Sequence, residues 1–170
     1  ESYITLSDFF MSPAEALPLA KLAAARAVGI DPAFSDAHTA RGATALFLDK
    51  DAQAAETSLR EALKLNPNSA WAHTSLAALT GSLGRFDEAV ASARRAVRLD
   101  PLSPNAHGWL QWILLVAGRY QEVEQVGNDA LQLFPNALLV HLWIGSSLAM
   151  RGEHQKAAPF FDQAAQIDQI

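Results

Sequence analysis

The chain contains no cysteine, so it has neither a disulfide frame nor thiolate chemistry, and redox logic assigns it no compartment. No apolar run approaches the roughly 18 residues that a membrane span requires; the densest, "WILLVAG" from Trp112, is far shorter. No signal peptide is recognisable, and a cytoplasmic location is expected. Basic residues are outnumbered, 13 Lys and Arg against 18 Asp and Glu, for a net charge of −5. Non-specific binding to nucleic acid needs clustered Lys and Arg, so this balance argues against it. Aromatics are only 8% of a chain that is 50% apolar. The apolar content is therefore mainly Ala with scattered Leu and Val, which favours close-packed helices. The chain begins at Glu1 rather than Met and reads as a piece of a larger protein.

Catalytic patterns are missing too. There is no His-Glu-x-x-His and no Gly-x-Ser-x-Gly. "GSLGR" at 81–85 lacks the Lys-Ser/Thr of a phosphate loop and follows a helix rather than a strand, so it reads as a turn. "DKD" at 49–51 lacks the further oxygen ligands and the Gly of a calcium loop and reads as a solvated turn. An enzyme active site, a metal and a cofactor are not expected.

What is present is a phrase written four times: "AVGIDPAFSDAH" at 27–38, "ALKLNPNSAWAH" at 62–73, "AVRLDPLSPNAH" at 96–107 and "ALQLFPNALLVH" at 130–141. Its prolines, Pro32, Pro67, Pro101 and Pro135, are 35, 34 and 34 residues apart, and Gly84, Gly118 and Gly152 are also 34 apart. Such a period signals stacked repeats. Within one period, Phe86, Ala89, Val90, Ala93, Ala96 and Val97 form one helical face. Trp71–Leu83 predicts another helix, closed by Gly84 in a left-handed conformation. Pro101 ends the second helix at Asp100. Each such helix is marginal alone in water and needs its neighbours. Ala20, Ala55, Ala89, Val123 and Ala157, and farther along Ala27, Ala62, Ala96, Ala130 and Ala164, are expected where paired helices cross closely.

These features together resemble the tetratricopeptide repeat family. The resemblance covers the chain as one array of five units, about 1–34, 35–69, 70–103, 104–137 and 138–170, and implies an all-α, right-handed superhelix of about five helix pairs. Departures are His38, His73, His107 and His141, which replace a family Trp in the first helix, and the second unit, which has "LDKDAQ" in place of the turn Gly and is one residue longer. The first unit has a weak first helix, "ESYITLSDFF", followed by Ser12, Pro13 and Glu15 as a helix-starting box. Pro18 and Pro159 should kink or delay their helices. The style of the repeats also resembles the regulatory arrays of bacterial winged-helix transcriptional regulators, and of cyclase- and kinase-linked proteins, which implies the regulatory part of such a protein.

The four His on successive repeats would stand roughly 10 Å apart, whereas zinc needs ligands at about 2.0–2.1 Å. They form a ladder, each ring packing at a helix start with a nitrogen hydrogen-bonded or wet; a pH response by His protonation is the alternative. "RRAVR" at 94–98 has acidic neighbours Asp87 and Glu88 and no aromatic stacking platform, so it reads as a solvated face.

In the family, fixed positions of each first helix line a concave groove. The matching residues here include Asp36, Thr39, Trp71, Thr74, Asn105, Trp109, Trp112, Leu139, Leu142, Trp143 and Ser146. A protein or peptide partner in this groove is implied, without the clamp that some members use on a C-terminal carboxylate, because the matching positions hold Thr, Ala, Gly, Trp or Leu. A small-molecule sensor with a ligand in the Trp-lined groove is the alternative. The Trp could equally be buried between repeats, since large aromatics serve cores and interfaces alike. Finally, Phe161, Ala164 and Ile167 fall on one face of the last helix with nothing downstream to cover it, which predicts a homodimer through the C-terminal repeat.

Overall fold

The computed structural model describes residues 13–167. These contain nine helices and no strand: α1 Pro13–Ile30, α2 Ser35–Thr44, α3 Ala52–Leu65, α4 Ala70–Ser82, α5 Phe86–Leu99, α6 Pro104–Val116, α7 Tyr120–Leu133, α8 Leu138–Met150 and α9 His154–Ile167. The expected helix over 1–10 and the Ser12 cap lie outside the described residues. The chain divides into two compact units, Glu1–Leu79 and Thr80–Ile170, the boundary falling inside α4. In the first unit α2 packs on both α1 and α3. In the second, α5 to α9 pack each on the next, and α6 also touches α8.

The repeated phrase builds the connection between hairpins. The residue before each proline donates its N–H to the phrase's first Ala carbonyl, closing the last helical turn: Asp31 to Ala27 at 3.0 Å, Asn66 to Ala62 at 2.8 Å, Asp100 to Ala96 at 2.9 Å and Phe134 to Ala130 at 2.8 Å. Its carbonyl then accepts from the residue three positions on, at 3.1–3.3 Å, in all four copies. Proline suits the turn between, because its φ is preset and it has no N–H to satisfy. The closing His then reaches back. Its Nε2 lies 2.8 Å from the Pro32 carbonyl for His38, 3.1 Å from Pro67 for His73, 3.0 Å from Pro101 for His107 and 2.8 Å from Pro135 for His141. A carbonyl oxygen only accepts, so Nε2 carries the proton in each ring.

Turns within the hairpins follow a second rule. Gly84, Gly118 and Gly152 have φ of 74°, 72° and 79°. Around Gly84, the Arg85 N–H reaches the Thr80 carbonyl and the Gly84 N–H the Gly81 carbonyl, and the same pair of bonds recurs at Gly118 and Gly152. This is the double closure that needs a left-handed residue. Without such a Gly, the α2–α3 hairpin absorbs its extra residue as a π turn, Ala45–Asp49, after which Lys50 takes the left-handed conformation at φ 55°. Asp51 caps α3, its carboxylate accepting from Ala54 N at 2.9 Å, and Asp49 holds Lys21 at 2.6 Å. The "DKD" stretch is a structural turn.

The crossing residues are buried as the period requires: Ala20, Ala55, Ala89, Val123, Ala157, Ala62, Ala96, Ala130 and Ala164, Ala27 alone being half-exposed. One pair of equivalent positions shows how volumes are balanced across a hairpin. Gly42 on α2 faces Leu59 on α3, Gln111 on α6 faces Gly127 on α7, and Gly145 on α8 faces Phe161 on α9. A Cβ at Gly42 would lie 2.6 Å from Leu59 Cγ, one at Gly127 2.3 Å from Gln111 Nε2, and one at Gly145 2.8 Å from the Phe161 ring. The large residue changes helix from one repeat to another, and the glycine changes with it.

The inner prolines are accommodated within their helices. Helices α1 and α9 are not delayed by their prolines: they start at Pro13 and His154 and run through Pro18 and Pro159. The face expected to be open at the C-terminal end is partly so: Phe161 is 38% exposed and Ile167 half-buried. Ala164 is buried and Phe161 packs its ring on Gly145 of its own hairpin, because the missing Cβ leaves a slot there. Phe160 packs beside the cluster of Ala130, Val140, Ile144, Leu148 and Ala157.

The Gly42–Leu59 contact gives a stability test. Leu59 is fully buried, so Gly42→Ala cannot be relieved at the surface and should cost about 1–3 kcal/mol. Leu59→Ala alone should cost about 2–5 kcal/mol. The double variant should be less unstable than the sum of the two, which denaturant unfolding of all four proteins measures; strict additivity would place the strain elsewhere.

Candidate partner-binding sites

The second unit carries the aromatic site. Trp109 and Trp112, one turn apart on α6, meet edge to face, with centroids 5.3 Å apart and planes at 88°. With Asn105 and Gly108 from α6 and Leu139 and Trp143 from α8, they line a cavity of about 290 Å³. The three indoles are half-buried, Leu139 and Asn105 exposed. The Trp are thus neither sealed in the core nor free on the surface; they wall an open cavity. Leu139 packs over Gly108, its Cδ1 lying 3.6 Å from where a Cβ would be, an ordinary contact. The Nε1–H of Trp143 is buried and has no acceptor, a defect that costs about 1–3 kcal/mol.

In the first unit, Asp36 and Trp71 line a separate cavity of about 250 Å³. Its other walls are Phe34, Thr44 and alanines of α1 and α2. Phe34 and the α1 alanines were not among the expected lining residues, since those came only from first helices. The legible signal was an aromatic placed in an exposed turn.

Other expected groove residues fall elsewhere. Thr39 is fully buried, its hydroxyl donating to the Ser35 carbonyl at 3.2 Å. Thr74 is buried too, its hydroxyl on the Ala70 carbonyl at 3.0 Å. Both hydroxyls serve their own helices and are not offered to a partner. Leu142 and Ser146 are half-buried and line neither cavity.

The His ladder is occupied by the fold. Each Nε2 is committed to a proline carbonyl. The second nitrogen of His38 accepts from Arg41 at 3.2 Å, and those of His107 and His141 are buried. No group of three metal-binding side chains suited to an ion is found among the described residues. The basic stretch at 94–98 is matched by acid: Arg94 pairs with Glu122, which also holds Arg119 at 2.5 Å. Arg98 lines a shallow cleft that Glu122 and Asp129 share. Glu61 and Glu153 sit below the ordinary carboxylate value, each chiefly because a lysine three residues on, Lys64 or Lys156, hydrogen-bonds to it.

Helix hairpins of one size, repeated with one connection, define a helical-repeat protein. The family model of the tetratricopeptide repeat matches residues 75–137 and 128–169, and the chain belongs to that family. Among solved structures, it is similar to the pilF protein of Pseudomonas aeruginosa at TM-score 0.76 and 23% identity, covering 97% of this chain and 74% of that one. It is also similar to a MamA fragment from Desulfovibrio magneticus RS-1 at 0.71 and 20%, covering 99% and 94%, and to a further MamA structure at 0.71 and 18%, covering 91% and 87%. Likeness at these identities is one of fold. No curated protein matches the chain. No described helix is long and apolar enough to cross a membrane.

The His contacts predict a structural, metal-independent role. His107→Leu should lower stability by about 1 kcal/mol, the net worth of one hydrogen bond. Excess zinc should leave the melting temperature of the unsubstituted chain where it was. A zinc-dependent rise that disappears in this variant would contradict that role.

Proposed function

We propose that the chain is a single repeat array that binds a protein or peptide partner, and that the cavity of Trp109, Trp112 and Trp143 takes an apolar anchor residue from it. The carrying observation is that cavity: three half-buried indoles around about 290 Å³. Small-molecule sites usually span about 300–1,000 Å³; this one lies at the lower edge of that range and has room for a large side chain or two. Half-buried Trp in a well-formed pocket is the composition of binding hot spots. Family membership supports binding rather than catalysis. The setting we propose, the cytoplasmic regulatory part of a larger bacterial protein such as a transcriptional regulator, rests on the sequence style of the repeats alone. Phe161 is 38% exposed at the C-terminal repeat, which supports a homodimer through that end; the partner we propose for the aromatic cavity is a different chain.

Selection of binders from a random displayed-peptide library, using the whole chain as bait, tests this. Selected peptides should share a large apolar residue, and Trp109→Ala should weaken them by tenfold or more, about 1.4 kcal/mol, while its thermal melt stays cooperative. A metabolite that saturably changes tryptophan fluorescence while no peptide is selected would favour the sensor reading and overturn this one.

A further inference from the structure

The first unit's cavity differs from the aromatic one in carrying an acidic residue. Its floor is alanine, Ala20 and Ala24 among it, its rim is the exposed Phe34, and its walls hold Trp71 and the carboxylate of Asp36. No basic side chain lines it. The described carboxylates of this unit otherwise have partners. Asp31 accepts from Ala33 N, Asp49 from Lys21, Asp51 from Ala54 N, Glu56 from Arg60 and Glu61 from Lys64. Asp36 has no hydrogen bond or ion pair among the described residues. Its place in the first turn of α2 suits the positive end of the helix dipole, and Asp36 is one of the residues that line the cavity.

An unpaired carboxylate beside an indole, above a floor of methyl groups, has the chemistry of a site for a long basic side chain. The aliphatic stem of Lys or Arg covers apolar surface while its head stays polar. The head finds the carboxylate as counter-ion, and an indole attracts a cation through its ring quadrupole. Small residues leave a slot the stem can enter, and about 250 Å³ is room for one such side chain. A neutral apolar side chain would fill the slot but leave Asp36 partly desolvated and unpaired, which is unfavourable. We propose that this cavity receives a lysine or arginine side chain of the bound protein segment, with Asp36 as its counter-ion; this rests on the reading of the chain as a protein-binding array.

The probes are the N-acetyl methylamides of lysine, arginine and norleucine, added to the whole chain. The indole N–H resonance of Trp71, assigned with Trp71→Phe, is the readout. The two basic probes should shift it saturably below about 100 mM, and norleucine should not. Asp36→Asn keeps the shape and removes the charge, so it should weaken the response about fivefold or more, as should raising salt from about 50 to about 500 mM. Trp109→Ala should leave the response intact, which separates this site from the aromatic cavity and its own peptide test. An equal response to norleucine, an undiminished response in a folded Asp36→Asn, or no saturable shift up to that concentration would each overturn the proposal. Each of these outcomes leaves the protein-binding reading of the aromatic cavity in place.

Discussion

A hydrogen bond from a histidine to the carbonyl of the proline six residues earlier recurs at every connection between hairpins, and the rest of each unit is arranged around it. The bond joins the end of one helix to the start of the next across a turn that already has its own backbone bond. Three donors are thereby satisfied within a few residues: the N–H before proline, the N–H three positions later and the histidine Nε2. A connection of fixed geometry presents the next first helix at a fixed place, and only then can one position be Gly in one repeat and Gln in another without loss of packing. The rings also extend into the core. His107 meets Phe134 edge to face at 5.8 Å, and His141 lies 6.1 Å from Phe160, so the clasp residue is also a packing residue.

The exchange of large and small residues across the hairpins follows from that fixed geometry. If helices could slide, a glycine opposite Leu59 would be a defect. Because they cannot, it is the space Leu59 needs, and a Cβ there would come within 3.2 Å of the Ala55 carbonyl as well. Gln111 carries the same logic into polar chemistry. It is fully buried, its amide pointing over Gly127 toward the Val123 carbonyl at 3.4 Å. A long bond of this kind adds little, so the residue is held mainly by its fit.

Much of this was legible in the residues. The 34-residue spacing, the left-handed glycines, Pro101 after Asp100 and the buried alanine series are local signals, each with one physical reading, and the helices fall within about a residue of the expected bounds. What was not legible depends on relations between distant positions. Thr39 and Ser146 occupy groove-type positions, yet one is sealed and the other half-open, because burial is set by the neighbouring helix and not by the residue's own position. Phe161 was expected to face outward from the last helix, yet its ring also packs on Gly145. That contact depends on Gly145, sixteen residues from Phe161, and pairing such positions needs the hairpin register to a single residue. The added residue of the second unit was visible as length, but its absorption as a π turn with Lys50 left-handed is a choice among several loops that spacing does not decide. The unpartnered state of Asp36 could not be seen at all, since an acid in a first helical turn looks the same whether or not a cation lies across from it.

The sizes of the two cavities bear on what kind of partner such a chain can hold. Burying one large apolar side chain contributes about 1.5–3 kcal/mol, and even a millimolar complex needs about 4 kcal/mol. A ligand confined to either cavity would therefore be held weakly. Affinity must come from several anchors on one continuous molecule, the first paying most of the entropy of association so that later contacts count more fully. A polypeptide segment meets that requirement because side chains project at regular intervals from one backbone, whereas a compact metabolite offers a single group to a single cavity. Two side-chain-sized cavities of different chemistry, one aromatic and uncharged, the other carrying a lone carboxylate, also discriminate better than two alike. Specificity of that kind comes from the penalty on the wrong partner as much as from attraction to the right one.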